Sequence, residues 1–370
     1  MSAIPLSMTA QTPAAPQRQP GSARLRRWAW GLVVIALLFY LPVLLTDRTI
    51  FGVRLSNMQL LNLGLSQVNL MLIAMLGALS LNYLTGCAGL ISIGHAAFYA
   101  VGAMTAAFTG SQLGWPFPLV LLSAGIAGAV AGLLAGLPSL RVRGLYFVLS
   151  TFAMHYIVAF AFLEYQFKAF DVVGVPYKTA SFGAFEFNTP MRWYFFLVPL
   201  VALVYWGLRN SLRTREGRVM MAMRDHELAT TSVGVDVRIL RLKAFAFSSA
   251  IAAVAGALYA YYLTNLNAEA FGINFAIQFI AMIIIGGMGS LPGSLVGAAV
   301  WLLLPSVITG FASQASDSTG LTRLLLVEHK AQLVQLVFGM LVILLLIFAP
   351  GGLAGIGRQI RNRLSSRGNP

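Results

Sequence analysis

The polar chemistry of this chain is concentrated in one stretch, Asn210 to Gly234, where Arg213, Arg215, Arg218 and Arg224 stand among Glu216, Asp225 and Glu227. Two apolar runs that read as membrane spans, Tyr194–Arg209 and Leu240–Leu263, flank it. A charged segment between two spans lies in water, and a mainly basic one faces the cytoplasm. The pattern suggests mechanical docking to a soluble partner. Asp225 suits a helix N-cap, its carboxylate accepting from the backbone N–H groups two and three residues on. Glu227 in the first turn complements the positive helix end. Gly234 fits the left-handed position just past a helix C-terminus. These marks delimit a short helix, about Asp225–Val233, behind a basic, Met-rich helix Arg218–Arg224. The alternative is an ordinary cytoplasmic loop.

No catalytic set is predicted. His95, His155, His226 and His329 show no metal-ligand spacing and no nucleophile and acid arranged around them. Cys87 is the single cysteine, so neither a disulfide nor a Cys-based metal site forms within one chain. The chain has no G-x-x-x-x-G-K-[ST] loop, so no ATP site of its own is expected.

Polar residues within apolar runs face the protein interior or a cavity. Asn82, Ser92, His95, His155 and Gln278 are therefore candidates for a substrate path, with interhelical hydrogen bonding as the competing role. The segment from Asn82 to Phe108 opens with Gly86, Ala88, Gly89, Ser92, Gly94 and His95. That density predicts unwound backbone at the inner end of a span, tolerated only where protein buries it or water lines it. A helix–helix turn at the membrane edge is the alternative. No carboxylates are spaced through the spans, which argues against a proton-coupled carrier.

The elements that must position these residues are membrane helices. Of 370 residues, 58% are hydrophobic and 10% charged, with mean hydropathy +0.79. The reading is an all-α, polytopic transmembrane bundle of about ten spans. They fall near Trp28–Leu45, Leu60–Leu84, Ile91–Thr109, Phe117–Leu137, Leu145–Glu164, Tyr194–Arg209, Leu240–Leu263, Phe275–Met288, Leu291–Phe311 and Gln332–Ala349. The eighth is short for a full crossing. Residues 1–23 are predicted to be a disordered cytoplasmic tail. A permease domain over 24–350 follows, with a coupling segment at 210–239, and then a basic cytoplasmic tail at 351–370.

With both termini inside, the inner segments hold the N-tail arginines, Arg141, Arg143, the basic residues from Arg209 to Lys243, and those from Arg358 to Arg367. Only Arg48, Arg54, Lys168, Lys178, Arg192, Arg323 and Lys330 fall outside. The formal charge of +14 thus reflects orientation in a membrane rather than nucleic-acid binding. Gly128, Gly132 and Gly136, and Gly289, Gly293 and Gly297, recur at four-residue spacing. Such stripes let helix backbones approach closely, either as fixed packing or as seams that slide.

Four blocks carry a resemblance: LNYLTGCAGLISIGHAAFYAVGAMTAA (81–107), LRVRGLYFVLSTFA (140–153), GRVMMAMRDHELATTSVGVDVRILRLKAFAFSSAIAAVAGALYA (217–260) and IIIGGMGSLPGSLVGAA (283–299). Their order resembles the LivM-type permeases of bacterial branched-chain amino acid ABC importers. FAPGGL (348–353) is similar to the family's ending, with Ala349 where an arginine is common. The resemblance implies a multi-pass inner-membrane permease without catalytic or metal sites. It also implies a homologous second permease, two cytoplasmic ATP-binding subunits that hold ATP and Mg, and a periplasmic substrate-binding protein. The family's coupling motif, EAA-x3-G, maps onto Leu228, Ala229, Thr230 and Gly234, keeping the glycine but not the glutamate. With Asp225 and Glu227, these residues are expected to couple to the ATPases. Leucine, isoleucine and valine are the implied substrates; urea or another small amide or amino acid is the alternative. A secondary carrier or channel, or a membrane-embedded enzyme, would lack a use for the charged segment.

Overall fold

The computed structural model describes residues 64–314, 330–349 and 351–366, apart from 143, 171–173, 184 and 233. All of them belong to the unit Asn57–Pro370. The expected N-tail and the first expected span, Trp28–Leu45, lie outside the described residues.

Helix α1 (Leu65–Leu81) runs on as a π-helical stretch, Asn82–Cys87. After a non-helical stretch, α2 (His95–Ala106) also ends in a π-helical stretch, Ala107–Gln112. Then come α3 (Phe117–Gly136), closed by a 3-10 turn at Leu137–Leu140, and α4 (Leu145–Phe170). Short strands β1 (Val175–Pro176), β2 (Ser181–Phe182) and β3 (Phe185–Glu186) lead to α5 (Pro190–Arg213). Two shorter helices, α6 (Arg215–Asp225) and α7 (Glu227–Ser232), precede α8 (Val237–Leu263) and strand β4 (Asn265–Leu266). The chain continues through α9 (Ile273–Gly286), α10 (Leu291–Gln314), α11 (Lys330–Phe348) and α12 (Gly352–Ser366).

Six helices are long and apolar enough to cross a membrane, or seven if the α11–α12 pair, bent by 47°, is one span. The expected helical membrane bundle is present; of its about ten spans nine fall wholly or mostly within the described residues, so the count of about ten is a loose one against these six or seven. Two expected spans have shifted bounds: α2 begins after the expected Ile91, and α9 is as short as expected but lies two residues earlier than Phe275–Met288. The glycines and serines before His95 keep residues 89–94 out of helix, so α2 starts late. Helix α9 stops at Gly286, because Gly287 (φ +107) turns the chain.

The bundle is organised around α8. In lipid, helices gain little from hydrophobicity against each other, so affinity comes from close backbone approach. Small residues provide it here. A Cβ on Gly128 or Gly132 of α3 would overlap Ala253 or Ser249 of α8. One on Gly102 of α2 would overlap the Ala253 carbonyl, and one on Gly256 the Tyr99 carbonyl. The Gly128–Gly132 stripe is thus a packing seam, and Gly293 and Gly297 likewise pack α10 against Gly286 and Met282 of α9.

The described elements have two distinct ends. At one, β1 pairs antiparallel with β4, Val175 opposite Leu266. The Asn69 amide donates to the Pro190 carbonyl (2.8 Å), and Ser111 donates to the Pro176 carbonyl (3.0 Å). Phe117 anchors a ring cluster with Phe187, Trp193, Phe196 and Tyr261. At the other end lie the π-helical end of α1, the α3–α4 turn, α6 and α7, and the α9–α10 turn.

Candidate functional site

The charged segment folds as two helices in series at this second end. Thr214 breaks α5 in an extended conformation (ψ 170°) and caps α6, its hydroxyl accepting from the Gly217 amide at 3.2 Å. Glu216 lies in the first turn, where the helix dipole favours it. Gly217 allows the sharp corner, because a Cβ there would overlap the Ser211 carbonyl. Helix α6 buries Gly217, Met220 and Met223 at three-residue spacing and leaves Arg215 and Arg218 outward. It is longer than the expected Arg218–Arg224 because the threonine cap starts it earlier.

The expected cap is misplaced by one residue. Asp225 is the last residue of α6, and its carboxylate lies 3.7 Å from Arg224 Nε. His226 (φ −148°, ψ 89°) interrupts the helices, and its carbonyl accepts the first bond of α7, from Thr230 N (3.2 Å). The backbone break, rather than a carboxylate cap, therefore starts α7. Glu227 does lie in the first turn, and Gly234 is left-handed with φ +83. Helix α7 spans Glu227–Ser232, a shorter run than expected.

Two arginines tie this segment to the bundle, and sequence patterning indicated neither tie. Arg241, at the start of α8 and 8% exposed, donates to the Ser139 carbonyl (2.9 Å) and pairs with Glu227 at 2.6 Å. It holds α7 to the end of α3. Arg224 donates to the Gly86 carbonyl in the π-helical stretch of α1. It packs there between Gly89 (φ +74) and Gly289 (φ +79), and a Cβ on either glycine would press on it. Gly86 lies in the last turn of that stretch, where carbonyls have no intrahelical partner and can accept from an outside donor. Lys243 with Glu216, and Tyr83 with Ser211 (3.0 Å), add exposed and half-buried ties.

The expected path residues separate into two groups. Asn82 is buried and fully engaged. Its Oδ1 accepts from Gly289 N (2.8 Å) and its Nδ2 donates to the Ser290 carbonyl (2.9 Å). It therefore stitches the end of α1 to the α9–α10 turn. Gln278 is half-buried on α9. Ser92, His95 and His155 are buried and carry polar atoms without a hydrogen-bond partner: Ser92 Oγ, His95 Nδ1 and His155 Nδ1. His95 Nε2 lies 2.7 Å from Ser80 Oγ. The Ser80 hydroxyl also lies 2.8 Å from the Gly77 carbonyl, so one serine joins the ring to the α1 backbone. Gly94 packs on the Thr151 carbonyl, which brings α2 against α4 beside His155. An unpaired buried polar atom costs about 1–3 kcal/mol. Ser92 lies within the non-helical stretch, His95 just after it, and His155 one turn beyond Thr151, on which Gly94 packs. The non-helical backbone expected here is present at residues 89–94.

The second end is thus a charged double helix clamped onto broken and glycine-turned membrane segments. The family model described as branched-chain amino acid transport system / permease component matches residues 64–346. The chain belongs to this permease family. The match covers all four blocks on which the sequence resemblance rests, and the permease is accordingly a multi-pass helical membrane protein. It is 28% identical over 309 residues to the high-affinity branched-chain amino acid transport permease LivM of Escherichia coli, covering 76% of this chain and 67% of the relative. It is 29% identical over 240 residues to a probable LivM of Methanocaldococcus jannaschii, covering 64% and 67%. It is also similar to the galactofuranose transporter permease YtfT of Escherichia coli, at 26% over 347 residues, covering 91% and 95%.

Proposed function

We propose that this permease is the membrane subunit of an ATP-driven importer for leucine, isoleucine and valine in a bacterial inner membrane, with both termini cytoplasmic. A homologous second permease, two cytoplasmic ATPases that bind ATP and Mg, and a periplasmic binding protein complete it. The permease itself hydrolyses nothing. The observation that carries this reading is the double arginine tie: α6 is bonded to the broken end of α1 and α7 to the end of α3. A push on α6 and α7 therefore reaches the membrane helices through specific bonds rather than through a slack loop. Asp225, Glu227, Ala229, Thr230 and Gly234 belong to the docking face and its supports; Leu228, 78% exposed, is its apolar point. Ser92, His95, His155 and Gln278 line the path, and Asn82 holds its inner end. A ligand drives the change only by its differential affinity for two states; here the ATPases, on binding ATP, supply it.

Purified with its ATPases and binding protein in proteoliposomes, the permease is expected to take up leucine only with ATP, and to show no hydrolysis alone. Uptake without ATPases would establish a carrier instead. The likeness to a sugar permease makes a second reading concrete, and urea is a third. Uptake of galactofuranose or urea in preference to leucine would replace the substrate while keeping the mechanism.

A further inference from the structure

Helix α12 leaves the end of α11 at a bend of 47°. Its first turn is pinned. The Gly351 carbonyl and Ala354 Cβ pack on Gly287, and Ala354 also meets Gly293, so a Cβ on Gly287 or Gly352 would overlap the facing backbone. That contact sets α12 at the level of the α9–α10 turn, whose Gly289 also meets Arg224 of the charged segment. Beyond the first turn the helix emerges from the bundle, with Ile356 37% exposed and Arg358 and Gln359 exposed. The backbone is helical through Ser366. Positions 353, 356, 360 and 364 therefore share one face, and they are Leu, Ile, Ile and Leu. Arg358, Arg361 and Arg363 occupy the remaining positions, and no acid occurs between Ala349 and Pro370.

A limb carrying three arginines cannot continue through hydrocarbon, where each costs about 2.5–3.5 kcal/mol at the centre. Its apolar stripe continues along the helix register past Ile356, which is itself 37% exposed. An apolar stripe with arginines around it matches a helix lying in the membrane–water interface, whose basic side chains meet anionic headgroups. We infer that α12 is an interfacial helix that binds anionic phospholipid headgroups at the same membrane face as α6 and α7. Its pinned start on Gly287 makes it a float attached to the α9–α10 turn.

The test uses the full-length chain in nanodiscs of phosphatidylcholine, with or without phosphatidylglycerol, so it needs neither substrate nor ATPases. An environment-sensitive fluorophore is placed on I356C in a C87S background. The expected result is a blue-shifted emission, quenched several-fold more by lipid-borne nitroxide when phosphatidylglycerol is present. High salt and the R358Q/R361Q/R363Q variant should abolish that difference. Water-like emission in both lipids overturns the inference, as does burial that is equal with and without phosphatidylglycerol. Burial that appears only on adding ATPase subunits also overturns it, assigning the face to a protein. Normal ATP-driven leucine uptake with a water-exposed α12 would sink this inference and leave the transport reading intact.

Discussion

Around Phe117, rings close one end of the bundle by packing on one another, whereas around Arg224 the opposite end is held by single donors on bare carbonyls. A ring cluster gains its stability from many contacts at once and has no partner to exchange. A guanidinium on a carbonyl beside left-handed glycines is a point contact that a short movement can break and remake. On the coupling role proposed above, the first end is the one that stays and the second the one that moves. The charged segment attaches only to the second.

This contrast can be broken in several ways. The largest effect is expected from Gly102→Leu in the α2–α8 seam that joins the two ends. The side chain would overlap the Ala253 backbone, so size-exclusion of detergent extracts should show loss of the folded monomer. Phe117→Ala should cost about 3–5 kcal/mol of thermal stability, while uptake per folded molecule stays near normal; a strong uptake defect would show that the ring end also moves. Arg241→Ala should cost about 2–3 kcal/mol, below the value for a fully buried pair because Glu227 is 29% exposed. Adding Glu227→Gln should restore part of that loss in the same melting assay. Arg224→Ala should lower stability by only about 1 kcal/mol. Leucine uptake should nevertheless fall about tenfold, a coupling change of about 1.4 kcal/mol, while ATP hydrolysis by the assembled complex persists. Equal loss of hydrolysis and uptake would make Arg224 a stability residue. The smallest effect belongs to Lys243→Ala. Its pair with Glu216 is more than half exposed on both sides, so about 0.2–1 kcal/mol is expected.

What the sequence made legible was local. Hydropathy marked the helices, the glycine stripes marked their seams, and Glu227 and Gly234 lay where helix-end chemistry put them. Asp225 misled because cap preference is judged from residue type, while His226 determines where the backbone actually breaks. The partners of Arg224 and Asn82 were beyond reach for another reason. Arg224 bonds across 138 positions to Gly86, and Asn82 across 208 to Ser290, and no local pattern encodes such a pairing. The shortened α2 could be read only in part: the glycines announced a break without fixing where helix resumes.

Helix α7 has one more property. The hydroxyls of Thr230, Thr231 and Ser232 each donate to the carbonyl four residues earlier, all at 3.0 Å. A surface whose donors are already engaged with its own backbone presents a neighbour with contour rather than with polarity. Leu228 is the most prominent feature of that contour, so the docking proposed above becomes a fit of knob and socket. Exchanging motors between related importers should then be a question of socket size, and pruning Leu228 to alanine should loosen every motor alike.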